Sequence, residues 1–276
     1  MNVAIVGLGL MGGSLALSLK KLDFIKSIVG SDHNPIHQKD ALELGLVEKI
    51  IEFDDIKSYD VIFLAIPVDG VISALQKLRD VSKDTTIIDL GSTKAKIVSS
   101  IPAEIRENFV AAHPMTGTEN FGPHAAIEGL YENQVVVLCD LKNSGETQTK
   151  VAKKIFKELK MKKYFMDAEE HDRHAAFISH MPHAISYSIA NTVMNQENKH
   201  NILALAAGGF RSMSRLAKSS ANMWEDIFRQ NKSNLLEAIG LFEDELKLLK
   251  KNIEDDNWSE VHNNIKSGNR LHDVLD

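Results

Sequence analysis

The sequence predicts an α/β chain: a doubly wound, mostly parallel sheet in the N-terminal part, followed by an all-helical domain. Three observations carry this. Seven short runs rich in Val and Ile, "NVAIVG", "SIVGSD", "DVIFLAIP", "TTIIDLG", "FVAAHP", "QVVVLCD" and "KKYFM", alternate with helical patterns through the first 166 residues. Strands that alternate with helices in this way pair in parallel and are covered on both faces. After "YFMDAEEHD" the strand-like runs stop and the apolar spacing becomes helical. The expected domains are therefore 1–166 and 167–276.

The first strand runs into "GLGLMGGSLA", in which Gly7, Gly9 and Gly12 form G-x-G-x-x-G at the start of a helix. Gly7 allows a tight turn, Gly9 lets the backbone approach a pyrophosphate, and Gly12 lets helix and strand pack closely. The second strand ends at Asp32, twenty residues after Gly12, where a carboxylate can hold the ribose hydroxyls of an adenosine. This context is that of a Rossmann-type dinucleotide site. Asp32 would repel a 2′-phosphate and "DHNP" offers no arginine to receive one, so the expected cofactor is NAD rather than NADP. Leu10 and Met11, within the motif, and Pro67, at the end of the third strand, complete the cofactor-facing set.

The next two strands place chemistry on the same rim. "TTIIDLGSTK" ends at Ser92 and "FVAAHPMTGTE" at His113, and ligands of open parallel sheets bind outside the carboxyl ends of the strands. A histidine there can accept a proton near neutral pH. Ser92 is expected to border both the cofactor and His113.

These stretches, together with "HDRHAAFISHMPH" (171–183) and "GGFRSMSRLAKSSANMWEDIFRQNK" (208–232), resemble the prephenate and arogenate dehydrogenases of tyrosine biosynthesis. The resemblance runs from end to end of the chain and includes motifs that are not nucleotide-binding. It implies NAD-dependent oxidative decarboxylation of prephenate to 4-hydroxyphenylpyruvate by a two-domain homodimer. It further implies that His113 is the catalytic histidine with Ser92 as its hydrogen-bonding partner, that His183 contacts the substrate side chain, and that Arg215 anchors a carboxylate. Thr118, Glu119 and Trp224 would border the substrate. Family members often carry an acidic residue after the first basic residue of the "GFR" segment; this chain has Ser212 there.

The helical part has its own logic. Asp167 is placed as an N-cap, with Glu170 completing a capping box. Prephenate is a dianion, and "GFRSMSRLAK" offers Arg211, Arg215 and Lys218 at helical spacing to receive it. His183 could donate a hydrogen bond to the keto oxygen of prephenate and, if protonated, repel the ammonium of arogenate. The histidines are not expected to hold a metal. His180 and His183 are three apart with no glutamate between, unlike H-E-x-x-H, and on a regular helix His171 and His180 point to opposite sides. His171 and His174 are read as core histidines, and Pro182 as a kink that tilts His183 toward a cleft. Leu235, Ile239, Phe242, Leu246, Leu249 and Ile253 form a heptad-like seam that needs another helix to cover it, either the intrachain "WSEVHNNIKSGNRLHDVL" or, as expected here, a second copy of the chain in a homodimer.

Bulk properties exclude other classes. A formal charge of −6 argues against nucleic-acid binding. One cysteine, Cys139, makes no internal disulfide framework. The chain enters an apolar strand without a basic leader and has no apolar run near 18 residues, so a soluble cytoplasmic protein without a membrane partner is expected. The rival readings are an arogenate dehydrogenase, a β-hydroxyacid dehydrogenase using Lys232, and a non-catalytic NAD-sensing protein.

Overall fold

The computed structural model describes residues 1–275. The strands are β1 (Asn2–Val6), β2 (Ser27–Ser31), β3 (Lys49–Ile50), β4 (Val61–Leu64), β5 (Thr86–Asp89), β6 (Phe109–Pro114), β7 (Val135–Cys139) and β8 (Lys162–Met166). They form one sheet in the order β3-β2-β1-β4-β5-β6-β7-β8. All neighbours are parallel except β6 and β7. Seven of these strands coincide with the apolar runs. The eighth, β3, is two residues long and carries no pattern that sequence reading could register.

Between the strands lie α1 (Leu10–Leu19), α2 (Pro35–Glu43), α3 (Val68–Lys77), α4 (Ala95–Ser99) and α5 (Glu146–Glu158). Alternate residues of β1 feed two separate cores: Val3 and Ile5 pack with Leu15 and Leu19 of α1, whereas Ala4 and Val6 pack with Val71 and Leu75 of α3. Both faces of the sheet are thus apolar, which is why the strands read as unbroken Val/Ile runs. The strand order reverses between β1 and β4, so the turns after these two strands open a crevice at their carboxyl ends.

The chain continues through α6 (Ala168–Ala175), a π-helical turn over Ala176–His180, α7 (Met181–Met194), α8 (Lys199–Ala204), α9 (Gly208–Ser214) and α10 (Ala221–Gln230). The remaining helices are α11 (Lys232–Glu254), α12 (Trp258–Asn269) and α13 (His272–Leu275). By its internal contacts the chain forms two compact units, Met1–Asn231 and Lys232–Asp276. Within the second, α11 packs along α12. Of its seam residues Leu235 is buried, while Leu246 and Ile253 are about half exposed, at 52% and 47%.

Asp167 does occupy the N-cap of α6, but its carboxylate makes no capping bond; it lies 3.4 Å from Lys142 instead. The first turn is met from another element, where Asp140 accepts from the N–H of Ala168 at 3.1 Å. The expected capping box is therefore absent. Pro182 stands in the first turn of α7, and the backbone adjusts just ahead of it through the π turn.

The three motif glycines have distinct tasks. Gly7 adopts φ +90, and a Cβ there would meet the Ala65 carbonyl oxygen at 2.4 Å. A Cβ on Gly12 would lie 1.8 Å from the Gly7 carbonyl oxygen. Around Gly9 only the Gly122 nitrogen, at 3.9 Å, comes near; the protein leaves that space open. Gly12→Ala is therefore expected to destabilise the fold by on the order of 1–3 kcal/mol and to weaken dinucleotide binding. Gly268→Ala, on α12 with nothing within 4 Å, should be neutral or stabilising by up to about 1 kcal/mol. Thermal unfolding of both variants checks the contrast.

Candidate active site

The cofactor-facing residues gather at the crevice. Asp32 follows β2, and its carboxylate accepts from the N–H of Leu8 at 2.8 Å and of Asn34 at 2.9 Å. This ties the glycine turn to the end of β2. Leu10 opens α1 and is buried, while Pro67 is exposed at the N-cap of α3. Met11 is held through its carbonyl oxygen, which accepts from Tyr131 Oη at 2.7 Å. The residues fit a dinucleotide: the space over Gly9 is a cradle any Cβ would narrow, the N-terminus of α1 opens beside it, and a carboxylate stands at the neighbouring strand end.

His113 lies near the end of β6 and is buried. Its Nδ1 faces His171 Nε2 at 2.8 Å, and His171 Nδ1 faces Asp172 Oδ1 at 2.8 Å. Asp172 in turn accepts from two backbone N–H groups of the "GSTK" turn, Lys94 at 2.7 Å and Ala95 at 2.9 Å. Beneath that turn Lys94, wholly buried, forms an ion pair with the equally buried Asp89 and donates to the Ala112 carbonyl oxygen at 2.7 Å. Ser92 is half-buried in the same turn. Among the described residues no hydrogen bond joins Ser92 to His113, contrary to expectation; Nδ1 of the ring is engaged by His171 instead.

Burial is the main cause that holds the His113 imidazole well below the ordinary histidine pKa, with His171, Lys94 and His180 adding to it. The ring is therefore neutral at physiological pH and able to accept a proton.

The helical segment adds a second cluster. His180 Nδ1 lies 3.0 Å from Asn231 Nδ2, which also donates to the Asp172 carbonyl oxygen at 2.6 Å. His180 Nδ1 is then an acceptor and the proton sits on Nε2. Burial pushes His180 down to about 4, so it too is neutral. His183 stacks on Trp224, ring centroids 3.4 Å apart and planes 22° from parallel. Among the described residues, His180 Nε2 and Trp224 Nε1 are buried without a hydrogen-bond partner. An unpaired buried donor costs about 1–3 kcal/mol.

Several expectations need correction. His171 is buried but belongs to the His113 array, and His174 is exposed rather than part of the core. The regular-helix argument that separated His171 from His180 fails because the π turn between them winds less per residue. Arg211, Arg215 and Lys218 do not share one α-helical face: α9 ends at Ser214 and a 3₁₀ turn covers Arg215–Lys218. Arg211, exposed, donates through Nε to the Ala206 carbonyl oxygen at 3.2 Å. Arg215 reaches Glu119 at 3.3 Å. Thr118, half-buried beside it, accepts from the N–H of Asn120 at 3.2 Å.

His183 also differs from expectation. Its Nδ1 donates to the Ser179 carbonyl oxygen at 2.9 Å, which leaves a lone pair on Nε2 of the neutral ring. Burial lowers its pKa, opposed by the Ser179 bond and reinforced by Arg215. At neutral pH it therefore presents an acceptor, not a donor. Lys232 is exposed at the start of α11. Among the described residues no group of three or more His, Cys, Asp or Glu side chains could hold a metal ion, and no helix is long and apolar enough to cross a membrane.

Comparison with known proteins decides the family. Residues 15–165 match the family described as prephenate dehydrogenase, nucleotide-binding domain, and residues 167–267 match prephenate dehydrogenase, dimerization domain. The chain belongs to the prephenate dehydrogenase family. Prephenate dehydrogenase of Bacillus subtilis (strain 168) is 30% identical over 281 residues, covering 99% of this chain and 76% of the relative. The structure of prephenate dehydrogenase from A. aeolicus in complex with hydroxyphenyl propionate and NAD+ superposes with a TM-score of 0.92 at 32% identity, covering 100% of this chain and 98% of that one. Synechocystis arogenate dehydrogenase, 25% identical and with full coverage of both chains, gives a TM-score of 0.82.

If the buried, neutral His113 acts as the base, the pH dependence is defined. With its pKa depressed, His113 stays unprotonated, and so able to accept a proton, down to pH values below the ordinary histidine range. The acidic limb of kcat/KM should accordingly lie below about pH 6.5. A limb at or above that value, measured from pH 5 to 9, would contradict the assignment.

Proposed function

We propose that this chain catalyses the NAD-dependent oxidative decarboxylation of prephenate to 4-hydroxyphenylpyruvate. The observation that carries the reading is His113: a neutral, buried imidazole on the rim that the glycine turn and Asp32 prepare for a dinucleotide. Family membership along the chain supports it, as does the NAD+ bound in the A. aeolicus protein.

NAD, when bound, supplies the hydride acceptor for the ring carbon that bears the substrate hydroxyl. His113 Nε2 takes the proton of that hydroxyl as its oxygen becomes a carbonyl. Loss of the ring carboxylate as carbon dioxide sends its bonding pair through the ring to the carbonyl oxygen and restores aromaticity, and that oxygen recovers its proton from the His113 imidazolium, so no second side-chain acid or base is needed. Arg215 anchors a substrate carboxylate, exchanging Glu119 for it, while Thr118 and Glu119 border the pocket from the turn after β6. Ser92, in the turn after β5, would border both cofactor and substrate. Trp224 holds the His183 ring, and its Nε1–H and His180 Nε2–H offer donors to substrate oxygens. Arg211 contributes positive potential at the mouth.

In this reading residues 1–166 form the nucleotide-binding domain and 167–276 the substrate-binding and dimerisation domain, consistent with the change of family match between residues 165 and 167. The dimer forms through the helical part, where Leu246 and Ile253 stay exposed in the single chain. A cytoplasmic location agrees with the single cysteine, Cys139, which is free and buried.

His113→Asn should lower kcat by roughly 10²-fold or more while NAD binding persists; wild-type turnover in this variant would remove His113 from the chemistry.

One observation favours a second reading. With Nδ1 committed to Ser179, neutral His183 offers a lone pair, which suits the ammonium of arogenate better than the keto oxygen of prephenate. If His183 faces that position, His183→Ala should weaken arogenate turnover more than prephenate turnover, and steady-state assays of both substrates will show it. Equal loss on both would take His183 out of side-chain discrimination.

A further inference from the structure

We propose that His171 and Asp172 are positioning residues that fix the proton on Nδ1 of His113, so that Nε2 faces the substrate as a base. The inference rests on His113 being the base proposed above, and it concerns how the protein keeps that base in its working tautomer.

The argument is one of donors and acceptors along a single line. Asp172 is a carboxylate and can only accept; its oxygens already take two backbone N–H groups, from Lys94 and Ala95. The 2.8 Å contact from His171 Nδ1 to Asp172 Oδ1 therefore needs the proton on His171 Nδ1. A neutral His171 then has a lone pair on Nε2. The 2.8 Å contact from His171 Nε2 to His113 Nδ1 can be a hydrogen bond only if His113 donates, which places its proton on Nδ1. His113 Nε2 is left as the acceptor. When it takes the substrate proton, the resulting imidazolium still donates Nδ1–H to His171, and the negative charge on Asp172 is felt through that ring.

The other groups around His113 do not compete for Nδ1. Lys94 is spent on Asp89 and on the Ala112 carbonyl oxygen. His180, from the π turn, has its Nδ1 on Asn231. The first two members of the line stand on α6 and the third on β6, so the tautomer depends on the docking of α6 against the "GSTK" turn.

The alternative is a positively charged His171, which would donate at both nitrogens. His113 Nδ1 would then accept, its proton would move to Nε2, and the base would be blocked. The two states differ in which His113 nitrogen carries hydrogen, and long-range ¹H–¹⁵N spectra of the full-length, ring-labelled protein at neutral pH read this directly. The His113 signals are identified by their loss in His113→Asn. The expected result is a protonated Nδ1 and an unprotonated Nε2 on His113; the reverse pattern overturns the proposal. In a second measurement, Asp172→Asn should retain NAD affinity and keep KM for prephenate within about threefold, while kcat falls about 100-fold and the acidic limb of kcat/KM moves to lower pH. Unchanged kcat and an unchanged limb overturn it as well. Should that variant fail to fold, the tautomer of the wild-type protein still decides. A reversed tautomer with His113→Asn inactive removes only the relay, whereas an active His113→Asn removes the base itself.

Discussion

The buried pair of Lys94 and Asp89 is the interaction on which the catalytic side of the molecule rests. A lysine with no solvent exposure is tolerable only when its charge is matched and its protons are used. Here Asp89 at the end of β5 matches it, and the Ala112 carbonyl oxygen next to His113 accepts a second hydrogen bond from it. Asp89 also accepts from the N–H of Gly91 and of Ala112. The pair thereby staples the ends of β5 and β6 together and shapes the turn between β5 and α4. From that turn two N–H groups reach Asp172, and from Asp172 the line runs through His171 to His113. Breaking either member of such a pair leaves an unmatched buried charge, worth about 3–5 kcal/mol, and loosens every later link.

Much of this was open to sequence reading and some was not, for physical reasons. The strands and the glycine turn are local: a strand buried on both faces must be apolar along its length, and a turn against a neighbouring backbone admits only glycine. Both requirements show in a few consecutive letters. The candidate base was legible because it stands at a strand end on a rim the topology defines. His171 and Asp172 were not, because their role is set by backbone groups 77 and 78 residues away. The one hint was available: an adjacent His-Asp pair in the first turns of a helix that follows directly from the last strand. The acceptor character of His183 depends on a carbonyl in its own helix, and no residue pattern reports which ring nitrogen such a carbonyl will claim. The assumption of one regular helix from Asp167 onward concealed both points.

The electrostatics of the site are arranged against the net charge of −6. The proposed carboxylate anchor, Arg215, is already paired with Glu119, and the buried cation Lys94 is neutralised within the fold. In the proposed site a dianion would meet a guanidinium that can exchange one carboxylate for another, together with uncharged donors on His180 and Trp224 that have no partner among the described residues. Such a pocket discriminates by geometry more than by attraction, since neutral donors reward an oxygen only where it falls within hydrogen-bond range.

The π turn over Ala176–His180 makes the spacing of the helical segment a matter of phase. A residue gained or lost in an α-helix rotates everything beyond it by about 100°, and a π turn is the form in which one surplus residue is absorbed without breaking the helix. His171 and Asp172 lie before it and His183 after it. The length of this one turn therefore sets the angle between the part of the helix that tends the base and the part that stacks on Trp224. Relatives that differ by a single residue here would keep every side chain of the pocket in their sequence and yet present a differently turned wall to the substrate, so that an insertion of one, not a substitution, becomes the smallest step between two pocket shapes.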